Sequence, residues 1–361
     1  MNKPLRVLCI SRAYGEHAGG MERLSFELIR SLQEKKELVV LPLVNSVQSG
    51  SLFVSRVRSI LFILLIIPRA LFMARDADVV HLGDPVLSLV GFCIQKLKRI
   101  PVLVTVHGLD VSYSSLIYQA YLRLFFRNFS TYIAISDYAK SQLLARKVSG
   151  NVLVIPPGIS DVLYDPNIAR NALGKLLYRN IANKCILATT GRLVTRKGHA
   201  WFIRRVLPKL PRNTLYVIAG DGPERENIRK IVQDDKLDDK VVMLGRITDD
   251  AQKTLLNTID AFVQPNISVP GDGEGFGIAP LEAALCGKKV FASAIDGIPS
   301  AIHDGKNGTL LPANESTAWI TTLSNFINAP KESPDARPYT LEVFQWNKIS
   351  DQYVDAIRSA T

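Results

Sequence analysis

Residues 271–293 read Gly-Asp-Gly-Glu-Gly-Phe-Gly-Ile-Ala-Pro-Leu-Glu-Ala-Ala-Leu-Cys-Gly-Lys-Lys-Val-Phe-Ala-Ser. Two carboxylates, Glu274 and Glu282, bracket a backbone opened by Gly275 and Gly277. Proline is favoured at the first position of a helix and glycine just past its end. The spacing therefore predicts a helix from Pro280 to Cys286, stopped by Gly287. Glu282 then falls in the first helical turn and Glu274 on the loop before it. The free N–H groups and positive dipole end of that turn make an anion site flanked by two carboxylates. Sugar hydroxyls need carboxylate acceptors and a diphosphate needs N–H donors, so one short segment can serve both.

The rest of the chain supplies an α/β frame for this segment. With 361 residues there is room for two domains of ordinary size. The formal net charge of +11 suits an acidic partner, whether a phosphorylated substrate, an anionic lipid or nucleic acid, or simply a solvated basic surface. Cys9, Cys93, Cys185 and Cys286 share no C-x-x-C spacing and read as reduced core thiols, which suits a cytoplasmic protein. Leu5 to Ile10 is too short for the apolar core of a signal peptide, and no apolar run is long enough for a transmembrane helix.

Arg6 to Ile10 is a compact apolar run, read as a buried first strand. A loop ending in Gly19-Gly20 follows, then a helix from Met21 with Leu24, Leu28 and Leu32 on one face. Asp78 to His81 and Pro101 to Val106 are further strands; the second delivers His107-Gly108-Leu109-Asp110 at its carboxyl end, where open α/β sheets bind ligands. Asp110 is also suited to capping the next helix. Ser51 to Arg75 holds eight apolar residues, Ile60 to Ile67, among Arg56, Arg58, Arg69 and Arg75. Such a segment fits a membrane interface or a buried helix whose arginines emerge at its ends. Leu116 to Phe129 interleaves Tyr118, Tyr121, Phe125 and Phe126 with Arg123 and Arg127, and helical spacing favours a packed or membrane-facing helix over a nucleic-acid platform. Strands at Thr131 to Ile135 and Val152 to Ile155 lead to Pro156-Pro157-Gly158-Ile159 and a linker around 160–166.

The alternation resumes with a strand at Cys185 to Thr189, followed by Gly191-Arg192-Leu193-Val194-Thr195-Arg196-Lys197-Gly198. Arg192 and Lys197 share one loop, and an arginine fork with a lysine point charge can converge on phosphate oxygens. Leu215 to Ala219, Val241 to Ile247, Ala261 to Val263 and Lys289 to Ala292 complete the strands. Phe344 to Trp346 opens a last helix with Ile349, Tyr353 and Ile357 on one side.

Glu274-Gly275-Phe276-Gly277 with Glu282, and Gly191 to Gly198, together resemble the signature of the family 4 retaining glycosyltransferases. The resemblance covers nearly the whole chain. It implies a GT-B fold: two Rossmann-like α/β domains facing across a cleft, residues 1–160 on the acceptor side and 161–343 on the donor side. The terminal helix 344–361 would pack back on the first. By the same resemblance Glu274 and His107 act at the transferred sugar, and Glu282 holds the ribose. Arg192, Lys197 and the backbone of Gly275, Phe276, Gly277, Ile278 and Leu281 hold the diphosphate, which the turn at Gly20 also faces. Gly245, Arg246 and Ile247 meet the base. The implied reaction moves a sugar from a nucleotide diphosphate sugar to an acceptor hydroxyl with retention, without metal or other cofactor. The acceptor would be a lipid-linked glycan of surface-polysaccharide synthesis, met at an anionic membrane surface on the cytoplasmic face, with no nucleic-acid partner. A nucleotide-sugar epimerase and a non-catalytic nucleotide-sugar-binding protein are the competing readings. Asn266, Lys288-Lys289 and the enlarged Gly271-Asp272-Gly273 loop depart from the family pattern.

Overall fold

The computed structural model describes residues 3–16, 20–46, 63, 65–328 and 335–361. The chain forms two units, Met1–Gly158 with Phe344–Thr361, and Ile159–Val343. In the first, β1 (Leu5–Tyr14), β2 (Leu38–Ser46), β3 (Val79–Leu82), β4 (Val102–Val106), β5 (Thr131–Ala134) and β6 (Asn151–Val154) form one sheet in the order β2-β1-β3-β4-β5-β6. In the second, β7 (Cys185–Thr190), β8 (Thr214–Ala219), β9 (Val241–Gly245), β10 (Ala261–Gln264), β11 (Lys289–Ser293) and β12 (Thr309–Leu311) run β12-β11-β10-β7-β8-β9. Every strand pairing in both is parallel. The central strands β3, β4, β5, β7, β8 and β10 are buried along their whole length, as expected of strands covered by helices on both faces.

Each strand order reverses direction once. In the first unit the reversal lies between β1 and β3, in the second between β7 and β10. Beyond the carboxyl ends of the strands at such a point the connections diverge to opposite faces and leave a crevice. Arg12 and Asp84 sit at the first of these points. The Gly191–Gly198 loop and the segment after Gln264 meet at the second.

The strands β2 and β12 are not anticipated by the sequence reading. Pro42 interrupts the apolar run of β2 and is tolerated because β2 lies at a sheet edge. The edge strand β12 has only three residues. The helix placed at Pro280 to Cys286 instead spans Ile278–Leu285, with Gly277 at its cap in the left-handed region (φ 110°). Pro280 is its third residue, not its first. The first turn of a helix has no use for the missing N–H, so proline fits there as well. Glu282 consequently lies in the second turn, a correction to the expected first.

The helix Trp346–Ala360 is built into the core of the first unit. Ile349, Tyr353, Val354 and Ile357 pack with Val7, Cys9, Leu28, Leu32 and Leu103. The Tyr353 hydroxyl lies 3.2 Å from Thr105 Oγ1, which lies 2.8 Å from His81 Nε2. Burial, with the nearby His107, pushes His81 down to about 4, so it is neutral at ordinary pH.

Residues 65–73 are helical, with Ile66 and Ala70 buried and Leu65 and Phe72 exposed. Arg56, Arg58 and the start of the Ile60 to Ile67 run lie outside the described residues. In the helix Leu116–Phe125 the Tyr118 and Tyr121 hydroxyls donate to Asp110 O and Val86 O, and Leu122 is buried. Its exposed side carries Leu116, Ile117 and Leu124. No helix among the described residues is long and apolar enough to cross a membrane.

A Cβ at Gly158 would stand 2.2 Å from the Trp346 ring. Gly158→Ala should therefore destabilise the first unit by about 1–3 kcal/mol, the scale of overpacking a filled core. Urea denaturation followed by tryptophan fluorescence measures it, and an unchanged midpoint would contradict the tight seat of this helix.

Candidate active site

In the second unit the loops after β7, β8 and β9 are tied side by side. Gly191 N–H donates to Ala219 O, and Gly220 N–H to Gly245 O at 2.7 Å. Beyond β7, Thr195–Lys197 makes one tight turn that ends in Gly198, with φ 68°. A Cβ at Gly198 would lie 1.8 Å from Pro265 O, so only glycine lets this loop close on the segment leaving β10. Ile267 N–H donates to Arg196 O at 3.0 Å and seals the junction.

Across that junction Lys197 Nζ lies 2.7 Å from Glu274 Oε2. Arg196 Nε is 3.5 Å from the same oxygen, and Arg196 Nη1 is 2.8 Å from Asp272. Asn266 Nδ2 donates to Glu274 Oε2 at 3.3 Å. Burial by itself would push the Glu274 pKa up. Lys197 and Arg196, with hydrogen bonds from Lys197 and Asn266, outweigh it and hold the group at about 2. The backbone is fixed too: Glu274 N–H donates to Asp296 Oδ2 at 3.0 Å, and Gly297 N–H to Glu274 O at 2.9 Å. Glu274 is thus a permanently ionised, oriented acceptor.

Four residues after Glu274, past Gly275, Phe276 and Gly277, the helix Ile278–Leu285 begins. Leu281 N–H is already engaged with Gly277 O at 3.4 Å. Among the described residues no acceptor takes the N–H groups of Ile278 and Ala279, and Pro280 has none, so two donors mark the helix start. Glu282 is 8% exposed and accepts from Gln252 Nε2 at 3.0 Å.

The expected donor-side residues therefore divide. Lys197, Glu274 and the Phe276–Ile278 turn surround the end of β7 and β10. Arg192 is exposed on the same loop and pairs with no carboxylate among the described residues, so it and Lys197 stand in different environments. Gly245 ends the edge strand β9, with Arg246 and Ile247 after it, and connects to the site through Gly220. In the first unit Gly20 opens the helix Gly20–Gln33, while Gly19 lies outside the described residues.

His107 leaves the end of β4, half-buried, with Nε2 3.0 Å from Gly83 O. A carbonyl only accepts, so Nε2 carries a proton and donates it to Gly83 O. Asp110 does not cap the next helix, whose cap is Gly108; its Oδ2 accepts from His107 N–H at 2.8 Å and shapes the loop that holds His107.

The sequence gives no role to Arg196, Asp272, Asn266, Asp296 or Gln252. Two departures from the family pattern were the signals present: the enlarged 271–273 loop supplies Asp272 to Arg196, and Asn266 donates to Glu274.

The depressed Glu274 pKa sets a pH dependence. Its ordinary value is 4.5, so the stabilisation is fully present above that value and is lost as pH falls towards about 2. Lys197→Met should raise the Glu274 pKa and cost about 1–3 kcal/mol of stability at pH 7, since a buried charge loses a partner. The mutant should also lose less stability than the native protein on going from pH 5 to pH 3. Parallel thermal denaturation curves at both pH values would refute the pairing.

The comparisons agree with this geometry. The family model described as glycosyl transferases group 1 matches residues 179–342, and that of glycosyltransferase family 4 matches residues 18–162. The GDP-mannose-dependent alpha-(1-6)-phosphatidylinositol monomannoside mannosyltransferase of Mycolicibacterium smegmatis is 26% identical over 75% of this chain and 74% of its own length. The D-inositol 3-phosphate glycosyltransferase of Mycolicibacterium paratuberculosis is 29% identical over 57% of this chain and 47% of its own. Among solved structures, Anabaena HepE in complex with UDP and glucose is similar at a TM-score of 0.78, with 20% identity over 98% of this chain and 100% of that one. Sucrose-phosphate synthase from Thermosynechococcus elongatus is similar at 0.78, with 19% identity and 98% of each chain covered. With two parallel α/β units of the GT-B type and both family models matched, this chain belongs to family 4 of the glycosyltransferases.

Proposed function

We propose that the protein is a retaining, metal-independent glycosyltransferase that uses a nucleotide diphosphate sugar and a lipid-linked glycan acceptor. The observation that carries the donor half is Glu274, ionised and fixed where the loops of β7 and β10 meet. A carboxylate held at about 2 accepts hydrogen bonds from sugar hydroxyls and does not serve as an acid. Lys197 has three donors and spends one on Glu274, which leaves two for a diphosphate. Arg192 adds an exposed fork, and the N–H groups of Ile278 and Ala279 add neutral donors.

In the proposed reaction the bond from the anomeric carbon to the diphosphate oxygen breaks as the bond to the acceptor oxygen forms on the same face. The acceptor's proton passes to the departing diphosphate. Cations and helix-end donors stabilise the charge that develops there, which is the part a divalent ion plays in other transferases. Glu282, beside Gln252, would hold the ribose, the Gly245–Ile247 turn the base, and His107 the sugar from the acceptor side. HepE was solved with UDP and with UDP-glucose, and the mycobacterial relative is named for GDP-mannose, so donor sugars of both bases belong in the assay.

The test separates sugar from diphosphate. Arg192→Ala should weaken nucleoside diphosphate binding by about 1.5–3 kcal/mol, the scale of a charge-assisted hydrogen bond. Glu274→Gln should abolish transfer and leave that binding near normal. Transfer should persist in excess chelator with the product anomer matching the donor's. Full activity of Glu274→Gln, or inversion at the anomeric carbon, would overturn the proposal.

The acceptor half is supported by the first unit's exposed apolar side chains. Leu116, Ile117 and Leu124 share the helix Leu116–Phe125 with exposed Arg123, and Leu65 and Phe72 stand near exposed Arg69 and Arg75. Aliphatic side chains insert below headgroups, and each nearby arginine contributes about 1 kcal/mol on an anionic surface. The protein should co-sediment with anionic vesicles at low salt, and less so as salt rises or when Leu116 and Ile117 are both changed to Ser. Retention in the supernatant under all conditions would remove the membrane from the proposal and leave the transferase standing.

A further inference from the structure

The strand β1 does not end regularly. Its register with β2 shifts between Ser11 and Tyr14, and Ser11 Oγ both accepts from Ala13 N–H at 3.3 Å and donates to Ala13 O at 2.8 Å. A bulge of this kind re-aims the side chains at a strand end. The side chain placed there is Arg12, at the point where the first sheet's strand order reverses. Asp84, at the end of β3, is 1% exposed and meets Arg12 Nε with both oxygens, at 3.1 and 2.9 Å. Asp84 is itself fixed by Val86 N–H at 2.8 Å.

This clamp uses one edge of the guanidinium. Both terminal nitrogens, Nη1 and Nη2, have no partner among the described residues, and the side chain is 25% exposed. A surface arginine kept for solubility has no buried carboxylate orienting its Nε. Here the orientation is built and the fork is left open, the arrangement that suits bidentate recognition of an oxyanion. His107 is on the same corner, since the carbonyl it bonds belongs to Gly83, the residue before Asp84. An oriented cationic fork with both terminal nitrogens open matches the oxygens of a phosphate, and His107 beside it adds a polar group for a hydroxyl.

We propose that Arg12, oriented by Asp84, binds a phosphate ester carried by the hydroxylated acceptor. This rests on the glycosyl-transfer reading of the protein and narrows the acceptor from any glycan to one that presents phosphate within reach of its hydroxyls. The phosphate could belong to a free polyol phosphate or to a lipid headgroup.

The test reads Arg12 directly. Native protein is saturated with UDP or with GDP to occupy the donor site, then treated with phenylglyoxal, and modification of the peptide containing Arg12 is followed by mass spectrometry. Glycerol 3-phosphate, or vesicles containing phosphatidylinositol, should slow modification of Arg12, whereas glycerol or phosphatidylcholine vesicles should not. Protection by the soluble phosphate assigns a free polyol phosphate, and protection by the vesicles alone assigns a headgroup; either supports the site. In Arg12→Gln the affinity for the protecting phosphate should fall about ten- to hundredfold, as loss of a charged hydrogen-bonding pair implies. Arg12→Lys, which keeps the charge without the fork, should fall in between, and nucleoside diphosphate affinity should not change in either. Equal modification of Arg12 with and without both phosphate probes would overturn the proposal. Failure of UDP and GDP to bind the native protein would instead count against the transferase reading, and the Arg12 protection would be read without them.

Discussion

A parallel sheet whose strand order reverses leaves one place where loops part, and both units put their charge there. In the second unit Lys197 and Glu274 close the gap between β7 and β10. In the first, Arg12 and Asp84 close the gap between β1 and β3. Each pair consists of a cation at or beyond the carboxyl end of the unit's first strand and a carboxylate after the strand beyond the reversal. Each also leaves its cation with donors to spare. The carboxylate removes the desolvation cost of burying a lone cation, and the spare donors remain for a ligand.

The two pairs differ in how much holds the carboxylate. Glu274 is gripped by Lys197, Arg196 and Asn266, and its own backbone is tied to Asp296 and Gly297. That redundancy fits a group whose orientation must survive the exchange of one ligand for another. Asp84 has Arg12 and a single backbone N–H, so its placement depends on the arginine more directly.

The sequence made the central strands plain because a strand buried on both faces is an unbroken apolar run. Eight of the twelve strands are of that kind or close to it, and β6 and β9, though less buried, still carry short apolar runs. The edges β2 and β12 escaped because an edge tolerates Pro42 in one case and only three residues in the other. The glycosyltransferase family was legible in the Glu274–Glu282 and Gly191–Gly198 segments, where residue type and spacing are local. Arg196, Asn266, Asp296 and Gln252 were not, since each works through a partner that only folding brings near. The helix at Ile278 began earlier than its proline suggested because Gly277 can take a positive φ that no other residue takes freely.

The terminal helix Trp346–Ala360 has a consequence for how the protein is made. The core of the second unit is drawn from residues 185–327, so it can close as soon as that stretch has left the ribosome. The core of the first unit needs Ile349, Tyr353 and Ile357 against Val7, Cys9 and Leu28, and must wait until residues 349–357 have emerged as well. Until then its oldest part presents an open apolar seat, at the sequence separation that makes contact formation slow and aggregation costly. The order of completion is therefore the reverse of the order of translation: the half made second is finished first.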